Sequence, residues 1–229
     1  MEGRGSPIAP AELTWALIIN ARRQLFPAMR AMYAGQWQVN LGQRLAGQTL
    51  AIWGYGKIGQ RLARYAQAFE MSVLVWGSEA SRQAALADGH RAASSRAAFF
   101  AEADVLSLHL RLVEATRHLV TAADLALMKP SALLVNTSRA ELIAPGALLE
   151  ALNRGRPGFA ALDVFEQEPL VDIDHPLLRH PGVLCTPHLG YVEREGYELY
   201  FGDAFANVRA FFAGEDCALA NPQVIVKTW

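Results

Sequence analysis

Short apolar runs alternate with longer amphipathic segments from residue 48 to about residue 190. The runs carry few charged residues and are, in order, Thr49–Trp53, Ser72–Trp76, Val105–Leu110, Ala132–Asn136, Phe159–Val164 and Val183–Cys185. Between them, helical periodicity predicts helices near residues 58–70, 79–88, 122–128 and 145–153. Strands that are apolar along their length and are separated by helices form parallel sheets covered on both faces. The pattern therefore predicts a doubly wound α/β domain with a parallel sheet.

A long helix is predicted before the sheet region. Its apolar face is formed by residues at helical steps: Leu13, Leu17, Leu25, Met29 and Met32. Pro10 suits the first turn, whereas Pro27 is expected to bend or break the helix. The stretch 13–19 is far shorter than the about 18 apolar residues of a membrane span. We interpret it as a buried helix and assign the other face to Arg22, Arg23 and Arg30.

A second long helix is predicted near residues 193–213, after the last apolar run. Its aromatic and aliphatic residues recur at helical spacing, and Gly214 is its expected end. Residues 34–47, rich in Gly and Gln, are interpreted as a connector between the first helix and the sheet.

The composition restricts the classes of partner. The 229 residues are 52% hydrophobic, and 21 basic residues balance 22 acidic ones for a net charge of -1. A near-neutral chain has no overall field to hold nucleic acid or an anionic membrane, so we expect neither. Cys185 and Cys217 are too few for a disulfide scaffold and lack zinc-site spacing, so we assign no metal and expect a cytoplasmic protein.

A glycine-rich segment follows the first strand and opens the next helix. It contains Gly54, Gly56, Lys57, Ile58 and Gly59 in a G-x-G-x-x-G pattern. The first glycine permits a tight turn, the second lets the backbone approach a pyrophosphate, and the third lets helix and strand pack closely. The plain alternative is a glycine-rich turn. The position between strand and helix favours a dinucleotide-binding loop.

The end of the second strand leaves the type of dinucleotide open. A carboxylate that binds the ribose 2′-OH is expected here, but the matching residue is Gly77. Glu79 could substitute only if the turn bends back. Ser78, Ser81 or Arg82 could instead bind a 2′-phosphate, or Ser81 and Arg82 could simply begin the next helix. We therefore expect NAD and keep NADP as an alternative.

Four motifs together carry a family resemblance: GYGKIG at 54–59, LVNTSRAELI at 134–143, ALDVFEQEPL at 161–170 and TPHLGY at 186–191. In this order and spacing, the chain from about residue 10 onward resembles the D-isomer specific 2-hydroxyacid dehydrogenases. The resemblance implies a Rossmann fold and transfer of a hydride between a nicotinamide and C2 of a 2-hydroxy or 2-keto acid.

The resemblance assigns catalytic roles to Arg139, Glu168 and His188. A guanidinium can bind the substrate carboxylate with two hydrogen bonds and polarise the adjacent carbonyl. An imidazole can donate and accept the proton, and a carboxylate on its other nitrogen fixes the tautomer. Taken singly, each residue could be a loop cation, a turn residue or a hydrogen-bonded histidine. Their ordered combination favours the catalytic interpretation.

Further cofactor contacts follow from the same resemblance. Asp163 matches the residue that binds the nicotinamide carboxamide, with a turn carboxylate as the alternative. The other matching positions are Leu110, Arg111, Thr116, Thr137, Ser138 and Tyr191. Three residues depart from the family pattern: Ala140 replaces Gly, Arg111 replaces Pro, and Glu70 replaces Gly before the second strand. Arg111, with Gly77, shifts the expected cofactor slightly toward NADP.

The resemblance also implies a second domain that covers the substrate, and this sequence lacks nearly all of it. We divide the chain into a remnant of that domain with the first helix and connector (1–47), the NAD(P)-binding Rossmann domain (48–191) and the C-terminal helix and tail (192–229). The short start is either real or an artefact of the gene model. Because the long helices would lack packing partners, we expect exposed apolar surface and a homodimer.

Two functions remain after these steps. The first is an NAD(P)-dependent oxidoreductase acting on a small 2-hydroxy or 2-keto acid. The alternative is a catalytically impaired NAD(P)-binding module that acts in sensing or protein interaction, which the missing domain favours. Another Rossmann enzyme, such as a methyltransferase, would leave Arg139, Glu168 and His188 unexplained.

Overall fold

Seven short strands form the centre of the fold in the computed structural model, which describes residues 5–215. Their bounds are β1 Thr49–Trp53, β2 Ser72–Trp76, β3 Arg91–Ala92, β4 Val105–Leu108, β5 Leu133–Asn136, β6 Phe159–Leu162 and β7 Val183–Cys185. The helices are α1 Ile8–Arg23, α2 Leu25–Tyr33, α3 Lys57–Ala68, α4 Glu79–Ala87, α5 Arg96–Glu102, α6 Ala122–Ala126, α7 Ala147–Asn153, α8 Pro176–Arg179 and α9 Arg194–Ala213. Cys217 lies outside the described residues.

All strands of the sheet are parallel, in the order β3-β2-β1-β4-β5-β6-β7. From β1 the chain builds outward through β2 and β3, and then returns so that β4 pairs with the other side of β1. At such a reversal, the carboxyl ends of the two central strands open a crevice in which ligands bind. The prediction of a doubly wound parallel α/β domain is confirmed.

The strand residues alternate between two buried layers, as the pleat of a strand requires. Leu50 and Ile52 of β1 pack in one layer with residues of α1 and α3. Ala51 and Trp53 face the other layer, where Trp53 meets the rings of Phe99 and Phe100 edge-on, each at 5.7 Å between centroids. Apolar side chains on both faces explain why the strands have no polar face.

Two predicted strands are shorter in the structure. The run from Val105 ends at Leu108, since the Leu110 carbonyl accepts a side-chain hydrogen bond from Ser138 instead of pairing with a strand. The run from Phe159 ends at Leu162, because Asp163 directs its carboxylate into a loop. The structure also contains β3, α5 and α8, which are too short for periodicity to detect.

The predicted first helix is two helices, and the break was expected at the wrong residue. The chain breaks at Gln24, whose φ of 51° is left-handed, and not at Pro27. Pro27 is the third residue of α2, within the first turn, where a helix needs no backbone N–H donor. Pro10 lies in the first turn of α1 as predicted.

The sequence analysis assigned Arg22 to the same face of the first helix as Arg23 and Arg30, but Arg22 differs from these two exposed residues. It is buried, and its guanidinium donates to the carbonyls of Asp104 and Ser131 and to the side chain of Gln43. Burial lowers the pKa of Arg22 to about 10, opposed by the charge of Asp104. These contacts attach the end of α1 to loops at the amino edge of the sheet. The apolar residues of α2 are also not core residues, since none of its side chains is buried.

The described residues form two compact units, residues 7–190 and residues 5–6 with 191–215. Residues 7–47, predicted as a separate segment, lie within the first unit. In the second unit, α9 confirms the closing helix and ends at Gly214, with φ of 72°. Across residues 5–215, no helix has the length and apolar character needed to cross a membrane.

Candidate active site

The glycine loop between β1 and α3 has the form of a phosphate cradle. Gly54 has φ of 100°, and a Cβ there would lie 2.5 Å from the His109 carbonyl oxygen. A Cβ at Gly59 would lie 2.3 Å from the Gly54 oxygen, so both positions require glycine. Gly56 precedes α3 and has open space at its Cβ position.

No side chain among the described residues caps α3, whose first residue, Lys57, is exposed, whereas Ile58 is half-buried. Uncapped N–H groups and a nearby cation attract an anion. These residues, with the adjacent crevice between β1 and β4, fit a dinucleotide pyrophosphate.

Tyr55 occupies a variable position of the glycine pattern and attaches this loop to another part of the domain. Its side chain is buried, and its hydroxyl donates to Asp88 Oδ2 at 2.8 Å. Burial, together with this bond, raises the pKa of Tyr55 well above its ordinary value. The bond fixes the loop to the end of α4. The sequence analysis missed it because the two residues meet only in the tertiary fold.

The turn after β5 carries Arg139 and is clamped by a buried amide. Asn136 donates from Nδ2 to the Arg139 carbonyl at 2.8 Å, and its Oδ1 accepts from the Ser138 N–H at 3.0 Å. The Ser138 hydroxyl donates to the Leu110 carbonyl at 2.7 Å, which joins the loops after β4 and β5. Asn136 is a positioning residue that the sequence analysis missed.

Thr137 in the same turn is attached to α1. Its hydroxyl and that of Thr14 are 2.7 Å apart, and the Thr14 hydroxyl also donates to the Pro10 carbonyl at 2.6 Å. The hydroxyls of Thr137 and Ser138, predicted as cofactor contacts, therefore have partners within the protein. Arg139 is exposed, donates to the Ser138 carbonyl at 2.6 Å and forms no ion pair within residues 5–215.

Glu168 and His188 are brought together from the loops after β6 and β7. His188 Nδ1 lies 2.6 Å from Glu168 Oε2, and Glu168 Oε1 accepts from the Phe165 N–H at 2.9 Å. His188 has a φ of 54°, a backbone conformation that occurs at functional sites more often than elsewhere. The predicted pairing of the carboxylate with the imidazole is present in the structure.

Electrostatics keeps the Glu168 carboxyl ionised. Partial burial by itself raises its pKa, but hydrogen bonds from His188 and from the Phe165 N–H outweigh burial. The charges of His188 and Arg139 act in the same direction, and together they hold the pKa of Glu168 below its ordinary value. An ionised carboxylate at Nδ1 favours a proton on that nitrogen.

Asp163 braces the loop on which His188 lies. It is fully buried and accepts from the Thr186 hydroxyl at 2.6 Å, the Leu189 N–H at 2.8 Å and the Gly190 N–H at 2.9 Å. The sequence analysis weighed a nicotinamide contact against a turn carboxylate here. The observed hydrogen bonds are those of a carboxylate that orders a loop, and the contact with nicotinamide stays a prediction.

The remaining predicted contacts lie around this edge of the sheet. Leu110 Cδ2 is 3.3 Å from the Cβ position of Gly54, and Arg111 is exposed. The Thr116 hydroxyl donates to the Arg111 carbonyl at 2.6 Å and so folds the loop after β4.

Two other positions concern the backbone and the second unit. Glu70, which replaces a glycine of the family pattern, has a left-handed φ of 58° and so keeps a glycine-type turn. Tyr191 belongs to the second compact unit, where its ring meets that of Tyr197 edge-on at 6.3 Å. Its cofactor contact stays a prediction.

Curated proteins and a family model place the chain among known sequences. The model of the D-isomer specific 2-hydroxyacid dehydrogenase NAD-binding domain matches residues 15–190. The chain is 38% identical over 216 residues to glyoxylate reductase of Aeropyrum pernix, covering 90% of the chain and 64% of that protein. It is 37% identical over 187 residues to D-3-phosphoglycerate dehydrogenase of Methanocaldococcus jannaschii, covering 81% of the chain and 35% of the relative. The chain therefore spans between about a third and two thirds of the length of these relatives.

Solved structures agree with the sequence relatives. A putative D-3-phosphoglycerate dehydrogenase oxidoreductase from Ralstonia solanacearum is 51% identical, with a TM-score of 0.94, covering 99% of this chain and 69% of that one. A phosphoglycerate oxidoreductase from Vibrio cholerae is 55% identical, with a TM-score of 0.89, covering 93% of this chain and 69% of that one. The chain belongs to the D-isomer specific 2-hydroxyacid dehydrogenase family, of which it contains the NAD-binding domain.

Proposed function

We propose that the protein is an oxidoreductase that transfers a hydride between a nicotinamide dinucleotide and C2 of a small 2-hydroxy or 2-keto acid. The observation that carries the proposal is the 2.6 Å contact between His188 Nδ1 and Glu168 Oε2, formed between two loops at the carboxyl edge of the sheet. The glycine loop and the Arg139 turn follow β1 and β5 and so lie at the same edge. The names of the family and of the relatives support the reaction class.

The dinucleotide, when bound, supplies the nicotinamide that gives or takes the hydride. Gly56 leaves open space for its pyrophosphate, whereas Gly54 and Gly59 permit the close backbone contacts that shape the loop. The first N–H groups of α3 would donate to the pyrophosphate. Lys57 adds a cation beside the same anion. The hydrogen bond from the Tyr55 hydroxyl to Asp88 keeps this loop in place before the cofactor binds.

His188 acts as the acid and base of the proposed reaction. Glu168 accepts a hydrogen bond from the Nδ1–H of His188, so Nε2 is the nitrogen that exchanges a proton with the substrate oxygen. In reduction, His188 donates this proton to the carbonyl oxygen of the keto acid. In oxidation, it accepts the proton of the hydroxyl. The ionised Glu168 stabilises the imidazolium form, which donates the proton in reduction and is formed in oxidation.

Arg139 binds the substrate carboxylate. Its guanidinium is exposed and can form two parallel hydrogen bonds with a carboxylate. Asn136 fixes the backbone of the Arg139 turn, and a rigid turn limits the entropy lost when substrate is bound. The proposed site thus orients the acid group of the substrate and protonates its neighbouring carbonyl.

We further propose that the protein works as a homodimer in the cytoplasm. Residues 25–41 expose large apolar side chains: Tyr33 is 89% exposed, Trp37 75% and Leu41 91%. Water-exposed apolar patches of this kind favour association with a second copy. Sedimentation equilibrium tests the proposed dimer. Met29→Glu is expected to shift the dimer to monomer. Leu86 of α4 is similarly exposed, and Leu86→Glu is expected to leave the dimer unchanged. Cys185 is a free thiol, as is usual in a reducing compartment. Staining of a tagged protein outside the cytoplasm would contradict this location.

Turnover with a panel of 2-keto acids tests the proposed reaction. We expect consumption of NADH or NADPH, and a loss of kcat of about 100-fold or more in His188→Asn with unchanged binding of the dinucleotide. Arg139→Ala should mainly raise KM, whereas Arg154→Ala, an exposed arginine paired with Glu150, is the matched control. Tight dinucleotide binding without turnover of any such acid would overturn the proposal and favour a binding module.

A further inference from the structure

The residues that follow β2 lie at the mouth of the glycine loop. The Gly54 N–H donates to the Trp76 carbonyl at 3.0 Å, and a Cβ on Gly77 would be 3.8 Å from the Gly54 nitrogen. An adenosine whose pyrophosphate lies on the glycine loop therefore has its ribose near residues 77–82. These residues therefore determine whether the site binds a dinucleotide with a free 2′-OH or one with a 2′-phosphate.

No carboxylate can extend from the position where NAD-specific Rossmann domains carry one. The residue is Gly77, with φ of 154°. A Cβ there would be 3.3 Å from Ser81 Cβ and 3.5 Å from Ser81 Oγ. The Ser81 side chain fills the space that an acidic side chain would need. The acceptor for a 2′-OH and the repulsion of a 2′-phosphate are both lost at this position.

Two hydroxyls and a guanidinium follow Gly77, at the N-cap and within the first four residues of α4. Ser78 Oγ lies 3.1 Å from Ser81 Oγ and accepts from the Ser81 N–H at 3.3 Å. The Arg82 guanidinium stacks over the Trp76 ring, with its carbon 4.9 Å from the ring centroid. Because Trp76 ends β2, this stacking holds the cation beside the last residue of the strand. Arginine and hydroxyl groups are donors that bind a phosphate.

Glu79 is the competing carboxylate, since it pairs with Arg82 and accepts from Gln83 Nε2 at 2.8 Å. The Glu79 side chain is 66% exposed and that of Arg82 is 28% exposed, so water screens the pair and it holds Arg82 weakly. A phosphate monoester has more negative charge and more acceptor oxygens than a carboxylate, and it can replace Glu79 as the partner of Arg82.

We propose that Ser78, Ser81 and Arg82 bind the 2′-phosphate of NADP(H), so that this protein prefers the phosphorylated dinucleotide. The inference rests on the proposed function only in requiring that the glycine loop binds a dinucleotide. It assigns the choice of cofactor to residues of α4 and to the stacking of Arg82 on Trp76.

Calorimetric titration of the full chain with adenosine 2′,5′-bisphosphate and with ADP tests the inference without requiring turnover. We expect the bisphosphate to bind at least about tenfold more tightly than ADP at low salt. Arg82→Ala should remove this preference and leave ADP binding unchanged. Glu79→Gln should strengthen binding of the bisphosphate alone, because it removes the competing carboxylate. Thermal unfolding of each variant verifies its folding.

Arg91→Ala is the matched control, since Arg91 is an exposed arginine on β3 that forms an ion pair with Glu102 of α5. It should leave both affinities unchanged. Equal or tighter binding of ADP by the wild type, or a preference that survives in both Arg82→Ala and Ser78→Ala, overturns the inference while the dinucleotide site stands. Failure of both nucleotides to bind overturns the inference and the proposed function together.

Discussion

Replacing Asp163 tests whether a buried carboxylate holds the loop that carries His188. The carboxylate is fully buried and accepts three hydrogen bonds, from the Thr186 hydroxyl and from the N–H groups of Leu189 and Gly190. Asp163→Ala removes all three acceptor contacts. Asp163→Asn keeps one oxygen but turns an NH2 group toward one of the donors.

The expected loss of stability follows from the two backbone donors. A hydrogen bond to a charged group contributes about 1.5–3 kcal/mol, so losing the bonds of Leu189 and Gly190 costs up to about 6 kcal/mol. Leu189 is exposed and water can replace its partner, whereas Gly190 is buried. The Thr186 hydroxyl can rotate toward another acceptor. We therefore expect a loss of about 3 kcal/mol for Asp163→Ala and about half of that for Asp163→Asn.

Urea unfolding measures the change in the free energy of unfolding, and hydrogen exchange reports on residues 186–190. We expect faster exchange of the Leu189 and Gly190 amides in both variants. Asp172→Ala is the control, because this exposed carboxylate accepts one backbone bond, from the Asp174 N–H at 2.9 Å. Its expected change is within about 0.5 kcal/mol. A loss below about 1 kcal/mol in Asp163→Ala, with unchanged amide exchange, would refute the reasoning.

Three further predictions concern the same edge of the sheet. Gly59→Ala should lower the free energy of unfolding by about 2–3 kcal/mol and abolish ADP binding in calorimetry, because its Cβ would lie 2.3 Å from a backbone oxygen. Gly202 is a helical glycine with open space at its Cβ position, and Gly202→Ala should leave the free energy of unfolding unchanged or raise it. Burial lowers the pKa of His109 from 6.5 to about 4, so the unfolded chain protonates first and stability falls as pH decreases from 6.5 toward 4. Between pH 7 and pH 5 this amounts to about 2 kcal/mol, so urea unfolding should show a loss of stability that is smaller by about this amount in His109→Gln than in the wild type. Thr14→Val should lower the melting temperature by the equivalent of about 1 kcal/mol and weaken dinucleotide binding, since it removes the partner of the Thr137 hydroxyl; Thr14→Ser should restore both, and no difference between the two variants would contradict this role.

The sheet is predictable because its strands bury both faces and therefore read as uninterrupted apolar runs. All six predicted runs agree with strands to within two residues at each end, and the two largest differences are the runs Val105–Leu110 and Phe159–Val164, which each extend two residues beyond the strand. The two-residue β3 contains Arg91 and leaves no such signal. The helix break at Gln24 could not be predicted, since a glutamine in the left-handed conformation has no sequence signature. Pro27 suggests a break, but it lies in the first turn of α2, where a helix tolerates proline.

The candidate site is predictable where its residues belong to motifs. Arg139, Glu168 and His188 follow strand ends, and the structure pairs the last two as expected. The supporting residues escape detection because their partners are distant in sequence. Tyr55 meets Asp88 only after α4 packs beside the glycine loop.

The same reason applies to Thr14, which meets Thr137 across 123 positions of sequence. Asn136 is adjacent to the turn that it clamps, but its apolar neighbours on β5 make it look like the end of a strand. The supporting contacts are therefore products of the fold and not of local sequence.

The most direct measurement of the central claim follows the hydride itself. The chain is incubated with a 2-keto acid, such as glyoxylate or hydroxypyruvate, and with NADH or NADPH in which both hydrogens at C4 of the nicotinamide are replaced by deuterium. We predict a 2-hydroxy acid with one deuterium at C2 in the wild type, and formation of this product at least about 100-fold more slowly in His188→Asn at equal cofactor saturation. An unlabelled hydroxy acid, or an equal rate with His188→Asn, would contradict hydride transfer assisted by His188.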